Sequence, residues 1–366
     1  MNEPNATLKQ SSAGSFRAID GFRGLAALGV LLFHYSCDIL PTVTPHPLRA
    51  LFANGVYGVE VFFVLSGFVI PYSMVRGGYS WHAIGPFMLK RYLRIAPLAY
   101  LSALLMIAYH AVAVLVLGRE ISANDWPGVN WRSILGNLLF HPEPFGTQWF
   151  NFVHWTLAVE FQFYFAIALL LPLLLASGNP LRNALLVLGA LALSFFAESY
   201  FFRDCGYFFL GVAVFLHRNG NISTRTFVLL VVASAVAAVH KLEPLVIDGE
   251  RVITHVYEWV PLGLALATTA MLVWRPGMGN RFTDWLGDIS YCLYLLHMPV
   301  GYFCDSLAKR VTGIHEHAWG RLALFVVFCA IALASAHVLH VIAERPLLRK
   351  LKRIRFRSAE APPSSM

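Results

Sequence analysis

IDGFRGLAALGVLLFHYSCD, residues 19–38, decides the fold, because its composition is typical of a helix that enters a membrane. It carries two ionisable side chains, Arg23 and His34, eleven positions apart. In an α-helix that spacing is three turns plus about 20°, so both side chains lie on one face, about 16 Å apart along the axis. Ionisable groups inside a span usually face a protein interior or a wet cavity, which suggests chemistry within the bilayer. The alternative is that Arg23 is an interfacial anchor and His34 an interhelical hydrogen-bond donor.

The composition of the whole chain points the same way. Of 366 residues, 57% are hydrophobic and 13% charged, which excludes a soluble domain with a polar surface. Short alternating segments, the signature of a membrane barrel, are not evident, so we predict an all-α, polytopic transmembrane helical bundle. The five cysteines have no metal-like spacing, and we predict neither a disulfide framework nor a metal site.

Apolar runs predict about ten spans, and charge orients them. The spans fall at roughly 22–40, 55–74, 97–117, 154–175, 184–202, 204–217, 225–241, 256–274, 286–307 and 321–343. Of the 28 Lys and Arg residues, nineteen fall on the side of the N-terminus and nine on the other, which places both termini in the cytoplasm. The domains are then a cytoplasmic polar tail (1–18), a membrane domain (19–345) and a basic cytoplasmic tail (346–366). The net charge of +8 is explained by this bias and by attraction to anionic lipid, so it does not indicate a nucleic-acid partner.

Three further ionisable residues lie in or beside these spans. Arg91 and Arg94, in KRYLRIAP, are one helical turn apart and can grip one phosphate group, although ordinary positive-inside charge explains them as well. Glu160, in WTLAVEFQFY, sits about two turns inside an apolar helix, where a lone carboxylate is rarely structural. The stripe Tyr291, Tyr294 and His297 is more typical of contacts between helices than of catalysis.

In order and spacing, the segments IDGFRGLAALGVLLFHY, FFVLSGFVI, KRYLRIAP, WTLAVEFQFY and ISYCLYLLHMPV resemble the acyltransferase-3 family. Its members are integral-membrane acyltransferases that decorate bacterial surface polysaccharides and related acceptors. The resemblance covers roughly residues 19–345. Many members carry an extracytoplasmic esterase-like domain after the last span. We expect this chain to lack that domain, so any completing partner is a separate protein, or none is needed.

The resemblance implies roles for particular residues. It implies that Arg23 and His34 form an Arg-X10-His signature with His34 catalytic, and that Arg91 and Arg94 handle acyl-CoA. It also implies a membrane glutamate, here Glu160. Phe161 departs from the second acidic residue often found after that glutamate. Asp38 is not part of the motif, and its role is open.

The residues and the resemblance together give one hypothesis. Acyl-CoA, most commonly acetyl-CoA, is the donor rather than a permanently bound cofactor, and its phosphates lie near Arg23, Arg91 and Arg94. His34 acts as general base, with Glu160 or Asp38 orienting its imidazole, and a covalent acyl-histidine remains an alternative to direct transfer. The acceptor is a hydroxyl of an exported glycan or lipid-linked saccharide reached from outside a bacterial cytoplasmic (inner) membrane, and the binding residues for it are unknown. The alternative function is a polysaccharide exporter or other multispan transporter.

Overall fold

The computed structural model describes residues 17–41, 44, 46–115, 128–176, 179–197, 199–240, 246, 247, 250, 251, 259–310 and 313–353. In these residues the regular secondary structure is helical apart from one pair of two-residue antiparallel strands, β1 (Val246–Ile247) and β2 (Glu250–Arg251). The helices are α1 (Arg17–Phe33), α2 (His46–Phe52), α3 (Gly58–Arg76), α4 (Ile84–Leu115), α5 (Trp131–Leu138), α6 (Trp155–Leu175), α7 (Pro180–Ala192), α8 (Tyr200–Arg218), α9 (Thr224–Val239), α10 (Val260–Trp274), α11 (Arg281–Ala308), α12 (Ala318–Leu339) and α13 (Arg345–Arg353). A π-helical turn, His34–Ile39, continues α1, and a second, His340–Glu344, joins α12 to α13. The all-helical prediction is confirmed for this part of the chain.

Four helical stretches are long and apolar enough to cross a membrane: His46–Arg76, Trp81–Leu115, Phe152–Leu175 and Ala318–Leu351. They coincide with the predicted spans 55–74, 97–117, 154–175 and 321–343. Three other apolar helices are shorter, Pro180–Phe195, Thr224–Val239 and Val260–Trp274. The protein is therefore a helical membrane protein. The other six spans and the cytoplasmic placement of both ends stay predictions, and residues 1–16 and 354–366 of the two tails lie outside the described residues.

One predicted boundary is wrong. The sequence predicts helices over 184–202 and 204–217, whereas α7 and the 3-10 turn after it end at Phe195 and α8 begins at Tyr200. Ser199 starts α8, because its hydroxyl accepts a hydrogen bond from the backbone N–H of Phe202 at 3.4 Å. The hydrophobic run is almost continuous across this break, so hydrophobicity alone placed it a few residues too late.

Helices α1 and α11 pack side by side in parallel, and glycines set their separation. A Cβ on Gly24 would lie 2.6 Å from the backbone nitrogen of Gly287, and a Cβ on Gly287 would lie 2.3 Å from the carbonyl oxygen of Asp20. Small residues allow such close backbone approach in membrane helices. Arg17 and Asp284 form an ion pair where both helices begin. Further along the same pair, the ring of His34 lies beside the ring of His297 in α11.

Prolines inside helices free backbone carbonyls, and polar side chains satisfy two of them. A proline has no N–H to donate to the carbonyl four residues earlier. Pro299 thus frees the carbonyl of Leu295, which accepts from Asn151 Nδ2 at 3.1 Å. Pro172 frees the carbonyl of Ala168, which accepts from the hydroxyl of Tyr79 at 3.0 Å. These bonds tie the segment before α6 to α11, and the turn before α4 to α6.

Candidate active site

A cavity of about 110 Å³ lies between α1, α3, α4, α6 and α11. Along α3 its wall extends from Val59 to Ile70, which at 1.5 Å per residue is about 16 Å of helix axis. The cavity is therefore narrow and elongated along the bundle. Its wall includes the polar side chains of Arg23, Ser66, Arg91, Arg94, Thr156, Glu160, Tyr164, Ser290, Tyr291 and Tyr294.

The charged residues of the cavity wall gather in what we call the arginine end: Arg23, Arg91, Arg94 and Glu160. Arg91 is held in place, because its guanidinium donates to Ser73 Oγ at 2.7 Å and stacks on the rings of Phe87 and Tyr164. Glu160 Oε1 accepts from Ser66 Oγ at 3.0 Å.

The arginine end carries more positive than negative charge. Three guanidinium groups and one carboxylate line it. Asp20, outside the lining, attracts Arg23 and Arg94 electrostatically, but among the described residues neither arginine forms a direct hydrogen bond or ion pair. Charges removed from water are costly unless they are paired. Guanidinium groups also match phosphate geometry, each offering several N–H donors in a plane. The arginine end is therefore suited to an anion.

His34 opens the π-helical turn after α1 and pairs with a carboxylate on the same turn. Its Nδ1 atom lies 2.6 Å from Oδ2 of Asp38, and the two side chains are 12% and 38% exposed. A carboxylate at Nδ1 fixes the tautomer and leaves Nε2 to act as a base. π-helical turns occur often at functional sites, and here the turn carries both residues. Asp38, whose role the sequence left open, is the carboxylate that the structure places against His34.

A second histidine lies beside His34. The ring centroid of His297 is 5.1 Å from that of His34 and 5.7 Å from that of Tyr294, and His297 is completely buried. Tyr294 lines the cavity, and its hydroxyl contacts Thr156 Oγ1 at 2.8 Å and donates to the carbonyl of Val153 at 3.2 Å. We call His34, Asp38, Tyr294 and His297 the histidine end.

The predicted site residues therefore form two groups. Arg23, Arg91, Arg94 and Glu160 meet in the cavity, and His34 contacts Asp38. Of the two carboxylates proposed to orient His34, Asp38 makes that contact and Glu160 bonds Ser66.

Sequence reasoning assigned the stripe on α11 to helix contacts. Tyr291 and Tyr294 make such contacts, since the Tyr291 hydroxyl donates to the carbonyl of Ile95 at 2.6 Å. His297, the third member of the stripe, lies against His34 instead. The regular polar stripe was visible in the sequence, but the sequence did not indicate which helix packs against it.

The chain is similar to one protein family and to several individual proteins. A family model described as an acyltransferase domain, that of the acyltransferase-3 family, matches residues 16–341. The chain is 32% identical over 144 residues to Protein 2 in picA locus of Rhizobium radiobacter, covering 38% of this chain and 70% of that protein. It is 23% identical over 367 residues to O-acetyltransferase OatA of Staphylococcus aureus (strain NCTC 8325 / PS 47), covering 91% of this chain. It is 28% identical over 157 residues to Peptidoglycan O-acetyltransferase OatA of Listeria monocytogenes, covering 40% of this chain and 22% of that protein.

The match covers only 57% of the length of the Staphylococcus aureus protein, so the chain spans little more than half of that relative. No solved structure matches the chain.

Proposed function

The chain belongs to the acyltransferase-3 family, and from that premise we propose that it is an O-acyltransferase of the cell membrane. It moves an acyl group, in the simplest case acetyl, from acyl-CoA to a hydroxyl of an exported or cell-surface glycan. Two relatives support the reaction, since one is named an O-acetyltransferase and the other a peptidoglycan O-acetyltransferase. The acceptor of this chain is a saccharide of that general class, free or lipid-linked.

The observation that carries the proposal is the unpaired positive charge at the arginine end. Coenzyme A carries several phosphate groups, and Arg23 and Arg94 have no ion-pair partner among the described residues. A narrow cavity leads from these side chains to Tyr294. A linear arm that ends in a thioester suits such a cavity, with its phosphates at the arginine end and its acyl group toward the histidine end. Glu160, bonded to Ser66, supplies a carboxylate on the cavity wall, and Asp20 and Glu344 lie near enough to Arg23 to interact with it electrostatically.

The histidine end supports the chemistry. Asp38 holds Nδ1 of His34, so Nε2 can take the proton from an acceptor hydroxyl. The hydroxyl oxygen attacks the thioester carbonyl, the carbon–sulfur bond breaks, and the thiolate of coenzyme A leaves. The proton on His34 then returns to that thiolate through water, so that the free thiol and the O-acyl product are formed. The partial exposure of Asp38 gives an acceptor a route to His34.

The proposal includes a location. We place the chain as a multi-pass protein of a bacterial cytoplasmic membrane, with both termini inside, because Lys and Arg concentrate on that side of the predicted spans. The donor then enters from the cytoplasm and the acceptor from outside, and the acyl group crosses within the protein.

The test uses the purified chain in lipid nanodiscs with radiolabelled acetyl-CoA. We expect release of free coenzyme A and transfer of label to glycan extracted from cells that lack the protein. Mass spectrometry of surface glycans from deletion and wild-type cells then identifies the acylated position. A preparation that never consumes acyl-CoA, yet moves saccharide across a vesicle membrane, would replace the proposal by the transporter alternative.

A further inference from the structure

The buried histidine of the histidine end has no part in the transfer described so far. His297 is completely buried, and its Nε2 atom has no hydrogen-bond partner among the described residues. Buried polar atoms almost always have a partner, and one without calls for an explanation. Two nearby polar atoms are engaged elsewhere, since the Tyr294 hydroxyl contacts Thr156 and Nδ1 of His34 contacts Asp38.

The hydrogen bond of the other ring nitrogen fixes the form of the imidazole. Nδ1 of His297 lies 3.3 Å from the carbonyl oxygen of Leu293. A carbonyl only accepts, so Nδ1 carries the proton and Nε2 carries a free lone pair. This neutral imidazole is the nucleophilic form. His34 differs, because the Asp38 carboxylate at its Nδ1 stabilises an imidazolium and so suits it to hold a proton.

His297 also lies at the position that a nucleophile between donor and acceptor would need. Tyr294 lines the cavity, the His297 ring packs against Tyr294, and the His34 ring packs against His297. Exposure of the side chains increases from His297 through His34 to Asp38. His297 therefore lies between the cavity that would hold the donor and the histidine that an acceptor can reach.

We propose that His297 is a further catalytic residue that carries the acyl group between donor and acceptor. Its Nε2 lone pair attacks the thioester carbonyl, the carbon–sulfur bond breaks, and coenzyme A leaves as a thiolate while the acyl group stays on Nε2. An acceptor hydroxyl then gives its proton to Nε2 of His34 and attacks the same carbonyl, and the carbon–nitrogen bond breaks. His297 returns to its neutral form, and the proton on His34 passes through water to the thiolate. This inference rests on the proposed use of acyl-CoA, and it replaces direct attack of the acceptor on the thioester by two successive transfers.

One substitution separates this role from a structural one. In His297→Asn the side-chain amide still places an N–H donor near the position of Nδ1, within reach of the Leu293 carbonyl, but nothing replaces Nε2. His110 supplies the matched control, because it is a buried histidine whose Nδ1 bonds the carbonyl of Met106, also four residues earlier, at 2.8 Å. His110 lies in α4 and contacts Tyr109 and Tyr302 rather than His34.

The experiment measures isotope exchange between acetyl-CoA and labelled coenzyme A, with the purified full chain in nanodiscs and no acceptor present. A covalent acyl-protein makes this exchange possible, whereas direct transfer to an acceptor does not. We expect exchange by the wild type and by His110→Asn, and a loss of about 10²-fold or more in His297→Asn. In His34→Ala, where release of the acyl group is slowed, label should accumulate on the peptide that contains His297.

Each outcome decides the matter. Transfer to glycan by the wild type without any exchange would overturn the carrier role and leave the proposed function intact. Exchange that survives in His297→Asn, or label found on a peptide other than that of His297, would also overturn it. A wild type that shows neither transfer nor exchange contradicts the proposed function itself, and the carrier role with it.

Discussion

The arginine end and the histidine end are two polar regions of one bundle, built in opposite ways. The arginine end draws its side chains from three helices, α1, α4 and α6, and leaves positive charge unpaired. The histidine end rests mainly on the parallel pair α1 and α11, and its one carboxylate is paired with an imidazole. Excess charge favours binding of an anion, whereas a paired imidazole favours proton transfer. The difference indicates that donor binding and acyl chemistry are separable functions of this fold.

The strongest test of that separation is His34→Ala. We expect the rate of acyl transfer to fall by about 10²–10⁴-fold, because the base at the reacting centre is lost. Affinity for acyl-CoA should stay that of the wild type, since the arginine end is intact. Single-turnover transfer gives the rate, and equilibrium binding of a non-reactive acyl-CoA analogue gives the affinity. The control is His82→Ala, an exposed histidine before α4. A loss of both transfer rate and acyl-CoA affinity in His34→Ala would contradict the separation of donor binding from acyl chemistry.

Arg94→Ala tests the same separation from the other side. A charge-assisted hydrogen bond is worth about 1.5–3 kcal/mol, so affinity for acyl-CoA should fall roughly 10- to 100-fold. The loss should appear in KM for acyl-CoA far more than in kcat. Arg225→Ala, at an exposed position in the first turn of α9, controls for loss of a positive charge. Unchanged donor affinity in Arg94→Ala would show that Arg94 does not bind acyl-CoA and contributes only to the positive-inside charge bias.

Gly24→Ala should disturb both ends at once. The new Cβ would lie 2.6 Å from the backbone nitrogen of Gly287, so α1 and α11 must separate. Overpacking of this kind costs about 1–3 kcal/mol of stability. Thermal unfolding in detergent measures the cost, and Gly189→Ala is the control, because no atom lies within 4 Å of a Cβ at that position. Equal melting temperatures of the two variants would contradict the close packing of α1 on α11.

The smallest expected effect belongs to a residue outside both ends. Tyr79→Phe removes the hydroxyl that donates to the carbonyl freed by Pro172. We expect the free energy of unfolding to fall by about 1 kcal/mol. KM for acyl-CoA and kcat should stay at wild-type values. A change in KM or kcat without a change in stability would contradict this and indicate that the turn before α4 takes part in acyl transfer.

Some of this arrangement could be predicted from the sequence. The spacing of Arg91 and Arg94 depends on local helix geometry, which the sequence encodes directly, and both residues line the cavity. The shared face of Arg23 and His34 stays a prediction. The contact of Asp38 with His34 is also local, one turn away. The approach of His297 to His34 is not local, because it depends on α1 and α11 lying in parallel with glycines at their crossing. Hydrophobic periodicity carries no information on which helices are neighbours, and it missed the break at Ser199 for the related reason that both flanks are apolar.

The π-helical turn between α12 and α13 has a consequence for the alignment of the helix that it interrupts. Its hydrogen bonds close over one residue more than those of an α-helix, so it holds a surplus residue in the winding of the chain. Side chains of α13 are therefore out of phase, by about 100°, with the positions that an uninterrupted α-helix would give them. One continuous helix thus contains two angular registers, with Phe328 in the first and Arg349 in the second. Deleting one residue from the turn would restore a single register and rotate α13, while leaving Phe328 where it is.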